Sequence, residues 1–417
     1  MKEDRDSLFW DKRLSWATAL FFICDAANVT IKTVLNIPES IWGTVSAFFG
    51  ITIILGFAMS FKEMLRRSSS MFWRVVFIFL LIYGYTALQY VTNGYPLDVL
   101  VRGNLLLTFV WWIPVGIYAA SVKNKEELYN VWIKASYIIS FICILLFLFH
   151  QNPTDEETAS SYNMSFGFKI ILPVLFQMND YLKNKRIWLL FFILIQILMI
   201  IIYSNRGPLL AIIFFCIYKF AFESNNRIRK IVSLFILALV GYLMTASLQT
   251  LAESAVAVLD MFGYDSRTLT LMAEGLANKT SGRDEIWELC LKMIEEKPIF
   301  GWGLGGEYFR IGGSLYGVPI SEISSEAYNP HNGLVQNFVC FGLLGGFFVC
   351  LMILLPLFHL KRGDFYLHSL LLIFASTWII PLCISASGYF VKPGVAVFLF
   401  LYYCNASSKI NHRYNIP

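Results

Sequence analysis

Three side chains in this sequence could together carry a group transfer. His331 stands in Asn329-Pro330-His331-Asn332-Gly333, Arg206 in Ser204-Asn205-Arg206-Gly207, and Arg283 in Ser281-Gly282-Arg283. An imidazole with an unperturbed pKa of about 6.5 is mostly neutral near pH 7 and can accept a proton from an attacking hydroxyl. A guanidinium fork meets two phosphate oxygens with parallel hydrogen bonds, which suits it to a phosphate-borne negative charge. One base and two such cations are enough when the donor already carries a good leaving group. Asn332 beside the histidine, and the cations Lys169, Arg310 and Arg102, are candidate substrate-binding residues. Lys169 lies a few residues inside an apolar block, where an unpaired ammonium costs about 3 kcal/mol; it either grips an anionic substrate group or snorkels to the surface. Each candidate also has a plain structural reading: a turn or capping histidine, a snorkelling Arg206, a solvated Arg283 in a first helical turn.

The elements that must position these residues belong in lipid. Of 417 residues, 57% are hydrophobic and 15% charged, against roughly 25% charged in a soluble domain. The apolar residues gather in about twelve blocks near bilayer-spanning length: 15–35, 41–60, 71–91, 103–120, 131–149, 166–181, 187–203, 208–221, 231–246, 334–357, 365–384 and 393–404. The expected fold is therefore an all-α polytopic membrane protein. A charged start from Met1 to Arg13, with no small-residue cleavage site after the first block, gives no expectation of a removable signal peptide.

Positive charge sets the orientation, because short cytoplasmic loops retain Lys and Arg. Lys62, Arg66 and Arg67, Lys123 and Lys125, Lys183, Lys185 and Arg186, Arg227, Arg229 and Lys230, Lys361 and Arg362, and Lys409 and Arg413 all fall on one side when the N-terminus is inside. The opposite loop at 151–161 carries Asp155, Glu156 and Glu157 and no cation. Both termini are then cytoplasmic, and the hydrophilic stretch at 247–330 faces outward. The chain divides into spans one to nine (1–246), a partly helical periplasmic loop (247–330), and spans ten to twelve with a cytoplasmic tail (331–417). His331 stands where that loop enters the tenth span, at the level of a lipid-borne substrate.

Several function classes fall away on the same residues. The net charge of +5 sits at particular loops and reports topology rather than nucleic-acid binding. The eight cysteines form no CxxC pair or disulfide framework, which argues against zinc and redox chemistry. Gly301, Gly303, Gly305 and Gly306 lack the Lys-Ser/Thr of a phosphate-binding loop, and are expected to form a flexible turn that lets the chain approach a substrate. The helices that precede them, at 248–261 and 284–296, are expected to lie across the outer mouth of the bundle. Asp25, Asn28 and Lys32 share one face of the first span and are expected to make an internal polar contact.

His331-Asn332 is followed after nine residues by Gly342-Leu343-Leu344-Gly345, and this spacing resembles the signature of O-antigen ligases and related oligosaccharyltransferases and polymerases. Upstream, Ser281-Gly282-Arg283, Trp287, Pro298 and Gly301-Trp302-Gly303 are similar to the first part of the same region, and Ser204-Asn205-Arg206-Gly207 to the family's Ser/Arg/Gly turn. These motifs cover about Tyr203 to Gly345. The resemblance implies a GT-C-like helical bundle in the bacterial inner membrane and a metal-independent, cofactor-free glycosyl transfer on its periplasmic face. The donor is a glycan on undecaprenyl diphosphate, with His331 as general base and Arg206 and Arg283 stabilising the diphosphate. A ligase uses a lipid A-core hydroxyl as acceptor, and a polymerase uses a second lipid-linked repeat unit; length and the His-Asn signature at the tenth span favour the ligase. A flippase of lipid-linked sugars is the third reading, disfavoured because the candidate residues and the large loop all lie on one side.

Overall fold

The computed structural model describes residues 2–98, 105–149, 164–203, 206–223, 231, 253–254, 256–257, 261, 283–319, 323, 328, 330–360, 364–384 and 392–414. Most of the expected ninth span, the hydrophilic stretch up to residue 282 apart from those fragments, and Arg102 and His150 lie outside them. The named elements among the described residues are all helical. They are α1 (Lys2–Val34), α2 (Glu39–Ala58), α3 (Phe61–Asn93), α4 (Leu105–Ser121), α5 (Lys125–Phe149), α6 (Met164–Asn184), α7 (Ile187–Tyr203) and α8 (Arg206–Ile217), which runs into a π turn, Tyr218–Phe222. Then follow α9 (Arg283–Glu296), α10 (Gly306–Tyr316), α11 (Gly333–Leu354) with a 3-10 extension to His359, α12 (Phe365–Phe374), a π turn (Ala375–Ile379), α13 (Ile380–Ile384) and α14 (Pro393–Tyr414). Among the described residues six helices are long and apolar enough to cross a membrane: Asp6–Val34, Ser40–Ala58, Phe61–Asn93, Lys125–Phe149, Gly333–His359 and Phe365–Cys383. Ile187–Ile201, Pro208–Phe222 and Pro393–Asn405 are shorter and equally apolar in character. The described elements are thus those of a helical, multi-pass membrane protein.

The helices form two compact units that do not follow chain order: Met1–Thr18, Phe57–Leu128 and Thr280–Pro417 in one, Ala19–Gly56 and Tyr129–Lys279 in the other. In the first, α4 lies along α14. A Cβ on Gly116 would come within 2.8 Å of the Ala396 carbonyl, so two small residues let these backbones meet, as is common where lipid offers no hydrophobic drive between helices. One end of this unit is tied by a buried ion network. Arg67 pairs with Glu63 at 2.6 Å and with Asp11, all three side chains under a tenth exposed, and also donates to the Ser121 and Ser7 carbonyls. Asp11 accepts from the Lys123 and Asn124 amides at 3.0 and 3.1 Å. Burying these charges is tolerable because nearly every donor and acceptor is filled. Lys62, Arg66 and Arg67, expected in a connecting loop, are therefore the first helical turns of α3, set off from the rest by a kink at Ser68. They had the charge of a loop, but Glu63 and Asp11 supply counter-charge that lets the helix start early.

In the second unit Ser140, Gln177 and Gln196 close a fully buried triangle. Ser140 Oγ donates to Gln196 Oε1 at 2.6 Å, Gln196 Nε2 to Gln177 Oε1 at 2.7 Å, and Gln177 Nε2 to Ser140 Oγ at 2.9 Å. It joins α5, α6 and α7 where an unpaired amide would be costly. The polar face of α1 is shared out between neighbours. Asn28 and Lys32 both donate to Ser46 Oγ of α2, at 3.3 and 2.7 Å, while Asp25 pairs with Lys169 of α6.

Candidate active site

The head of α11 is built by Asn332. Its backbone is extended (φ −151°, ψ 111°), and its Oδ1 accepts from the Leu334 and Val335 amides at 2.9 and 3.2 Å, which fills donors that a helix start leaves open. Its Nδ2 donates to the Cys383 carbonyl of α13 at 3.0 Å, so the amide is engaged at both ends. His331, immediately before, has φ 52°, the left-handed region that a non-glycine residue enters only when its surroundings hold it there. One hold is on the preceding residue: the Trp287 indole of α9 donates to the Pro330 carbonyl at 3.0 Å. The backbone of the half-buried His331 is thus held between a capped helix and an anchored carbonyl.

α9 and α10 form a hairpin packed on α11. α9 does not lie across the bundle mouth as expected. Trp287 meets Pro330 and, eleven residues on, the Pro298 carbonyl accepts from the Leu343 amide at 2.7 Å, so α9 runs beside α11. The reason is a break in α11 at Gly342 (φ 70°, ψ −175°). In an unbroken helix the Leu343 and Leu344 amides would serve the Val339 and Cys340 carbonyls. Here those carbonyls accept from Trp302 and Gly303 at 2.9 Å each, so the inserted turn completes the accounting of buried backbone groups. Gly301 (φ 64°) sits so close that a Cβ would be 2.6 Å from the Cys340 carbonyl carbon and oxygen. The glycine cluster is therefore a packed joint rather than a flexible turn, because the amides between its glycines are consumed by α11.

Below His331 on the same helix, Gln336 Nε2 donates to Glu307 Oε1 at 2.6 Å, and the Cys340 thiol to Glu307 Oε2 at 3.2 Å. Glu307 is fully buried in the first turn of α10, a position favourable to a carboxylate. Sequence reasoning missed Glu307 and Gln336. The signal available was two consecutive amides, Gln336 and Asn337, within an otherwise apolar span, which calls for a polar partner.

The other candidates are placed as follows. Arg283 is the first residue of α9, one turn before Trp287, and so belongs to the helix that anchors the His331 turn. Arg206 opens α8 in the second compact unit; the side chains of both arginines lie outside the described set. Arg310 forks Nη2 onto both oxygens of Glu296, at 2.6 and 2.7 Å, with its guanidinium 5.1 Å from the centre of the Trp302 ring. Lys297 stands over the same ring at 4.4 Å and donates to Asn93 Oδ1; burial holds its ammonium pKa below the ordinary lysine value. Lys169, 14% exposed, is neutralised by Asp25. Cys290, inside α9, has its thiol pushed up to about 12 by burial, with Glu307 adding to the effect, so it is a packing residue rather than a nucleophile.

The described helices thus bring a constrained histidine at the head of α11 beside a helix that begins with an arginine. Residues 189–350, a segment that contains Arg206, Arg283 and His331, match the family model described as O-antigen ligase. The family is one of ligase-type glycosyltransferases that join or extend lipid-linked glycans. A comparison with curated proteins gives no match.

Proposed function

We propose that the protein is an O-antigen ligase of the bacterial inner membrane, moving a glycan from undecaprenyl diphosphate to a lipid A-core hydroxyl on the periplasmic face. His331 removes the acceptor proton as the hydroxyl oxygen attacks the first sugar carbon, and the bond from that carbon to the diphosphate oxygen breaks. Arg206 and Arg283 stabilise the released diphosphate, and no metal is needed. Direct displacement of this kind inverts the configuration of the sugar carbon. The observation that carries the reading is the conformation of His331, held left-handed by the Asn332 cap and the Trp287–Pro330 bond within the family-matched segment. Lys169 and Arg310 already have carboxylate partners, so contact with the diphosphate would require those pairs to open. Arg102 and Asn332 complete the proposed binding set.

The test is transfer by the purified protein and its His331→Ala variant, with either lipid A-core or a second lipid-linked repeat as acceptor. Product on lipid A-core that vanishes in the variant supports the ligase. Lengthening of the lipid-linked chain instead makes the protein a polymerase, and equal transfer by both forms removes His331 from the mechanism.

A further inference from the structure

We propose that the turn between α9 and α10 is a wedge inserted among the acyl chains of the outer leaflet, and that it sets the height of His331 above the hydrocarbon. The inference rests on the outward orientation proposed above.

The first argument is length. Gly333–His359 is a 27-residue apolar span, about 40 Å of helix, whereas the hydrocarbon core is about 30 Å thick. One end must therefore stand outside. Large exposed apolar side chains on this helix begin at Leu343 (53% exposed) and continue through Leu344, Phe347, Phe348, Leu351 and Leu355 to Phe358. That stretch is about 23 Å long, which fits within the hydrocarbon. The part before the Gly342 break is instead covered by α9 and α10, and its polar Gln336 and Asn337 are buried there. The hydrocarbon thus reaches α11 at least as far out as the break.

The second argument comes from α3. Its exposed apolar side chains run to Leu88 and Val91, just before the cap at Gly94, with Leu97 half-exposed in the turn beyond; the end of the helix is taken as the outer hydrocarbon edge. Lys297 reaches Asn93 at this edge. The Leu304 amide donates to Thr86 Oγ1 at 3.3 Å, and the Tyr90 hydroxyl to the Leu304 carbonyl at 2.6 Å. The turn therefore lies one to two helical turns below the edge, about 5–10 Å deep. There it presents Ile299 and Phe300, 65% and 64% exposed, with their neighbour Pro298 bonded to Leu343, the first lipid-facing residue of α11. Charge ends at Glu296 and Lys297 and does not resume until Glu307 and Arg310. An apolar tip below a charged rim, continuous with a lipid-facing helix, fits acyl chains.

Eleven residues separate His331 from Gly342, about 16 Å along the helix. Subtracting the depth of the wedge leaves the imidazole about 6–11 Å outside the hydrocarbon, in or at the edge of a headgroup layer about 5–8 Å thick. That is where the diphosphate of a lipid-borne donor resides.

The test places a bimane label on Phe300→Cys, and separately on Glu288→Cys, in the full chain reconstituted in bilayers. The unsubstituted protein serves as the labelling background. The proposal expects the label at 300 to be quenched several-fold more by lipid carrying a nitroxide near the headgroup than by aqueous iodide, and the label at 288 to show the reverse. Iodide quenching at 300 equal to that at 288 would overturn it. Protection at 300 from both quenchers would also overturn it, since a second copy or another covering partner would then occupy the tip. Ile299→Cys supplies a second reporter if Phe300→Cys does not fold. The readout needs no transfer activity, so loss of the ligase reading leaves it standing. Reaction of Glu288→Cys with an impermeant thiol reagent from the outside checks the orientation separately.

Discussion

Replacing each glycine of the Gly342-Leu343-Leu344-Gly345 motif by alanine should have unequal consequences. At Gly342 the backbone has φ 70° and ψ −175°, a region essentially reserved for glycine, so a side chain there costs on the order of 1–3 kcal/mol in strain alone. The new Cβ would also fall on the Ile299 carbonyl and lie 2.8 Å from that of Pro298. Moving the turn away gives up the hydrogen bond from Leu343 to Pro298, about 1 kcal/mol net. The sum is about 2–4 kcal/mol, and at roughly 2–4 °C per kcal/mol the unfolding midpoint should fall by about 4–16 °C. At Gly345 a Cβ meets only the Phe341 side chain, at 2.9 Å on the same helix. That atom is the Phe341 Cβ, so the helix backbone must shift slightly to admit it, but Gly345 has no positive φ to strain, and alanine returns up to about 1 kcal/mol of helix propensity. The assay is a thermal melt of each purified variant, followed by transfer activity. A displaced hairpin shifts the Trp287 anchor of the His331 turn, and a misplacement of about 1 Å can cost on the order of 100-fold in rate. If Gly342→Ala and Gly345→Ala melt together and transfer equally, the joint between the hairpin and α11 does not carry the site.

Four further outcomes follow from other parts of the fold. His331→Gly should melt about 1 kcal/mol above His331→Ala, because only alanine retains the left-handed strain, while neither supports transfer; a melt in the opposite order would show that φ is not what burdens this position. Arg67→Ala leaves the buried Asp11 carboxylate without its counter-ion, while Arg66 still pairs with Glu63, and should destabilise by about 3 kcal/mol, read as a lower melting midpoint with donor binding unaltered in the surviving folded fraction. Asn332→Ala removes a helix cap worth about 1 kcal/mol along with the bond to Cys383, and Asn332→Asp should restore the cap alone; melting with turnover on both variants separates the two bonds. The fold favours the neutral Cys290 thiol, raised from 9.0 to about 12. Its contribution to stability is intact below pH 9 and lost progressively as pH rises from there toward 12, so maleimide at pH 8 should modify this cysteine only in unfolded protein, as peptide mapping would reveal.

Much of the architecture was legible because lipid imposes simple rules. Apolar blocks of spanning length announce helices, and most of the expected spans that fall among the described residues are helical. The order Arg206, Arg283, His331 marked the segment that matches the family. What escaped the sequence was pairing. Arg67 contributes to a cytoplasmic charge bias whether it is solvated or buried against Asp11, and only the tertiary fold distinguishes the two. Lys169 looked available for a diphosphate, yet Asp25, far away in the chain, already answers it. The glycines at 301–306 carry the composition of a flexible turn. Their rigidity comes from carbonyls that a single break liberates in another helix, and no local pattern encodes that.

The π turn at Ala375–Ile379 has a consequence for the bond between Asn332 and Cys383. A π turn holds one residue more than an α turn, and Ser376 and Thr377 satisfy the Leu372 and Ile373 carbonyls within it at 2.7 and 2.8 Å. One surplus residue advances everything downstream by about 100° of helical rotation, and Cys383 lies downstream. The anchor for the Asn332 amide is therefore aimed by a residue count rather than by any particular side chain. Deleting Ala375 would leave hydropathy and charge almost unchanged, yet it would swing Cys383 about a quarter-turn off target. The segment behaves as a vernier, in which a one-residue change in length matters more to alignment than most changes of residue type.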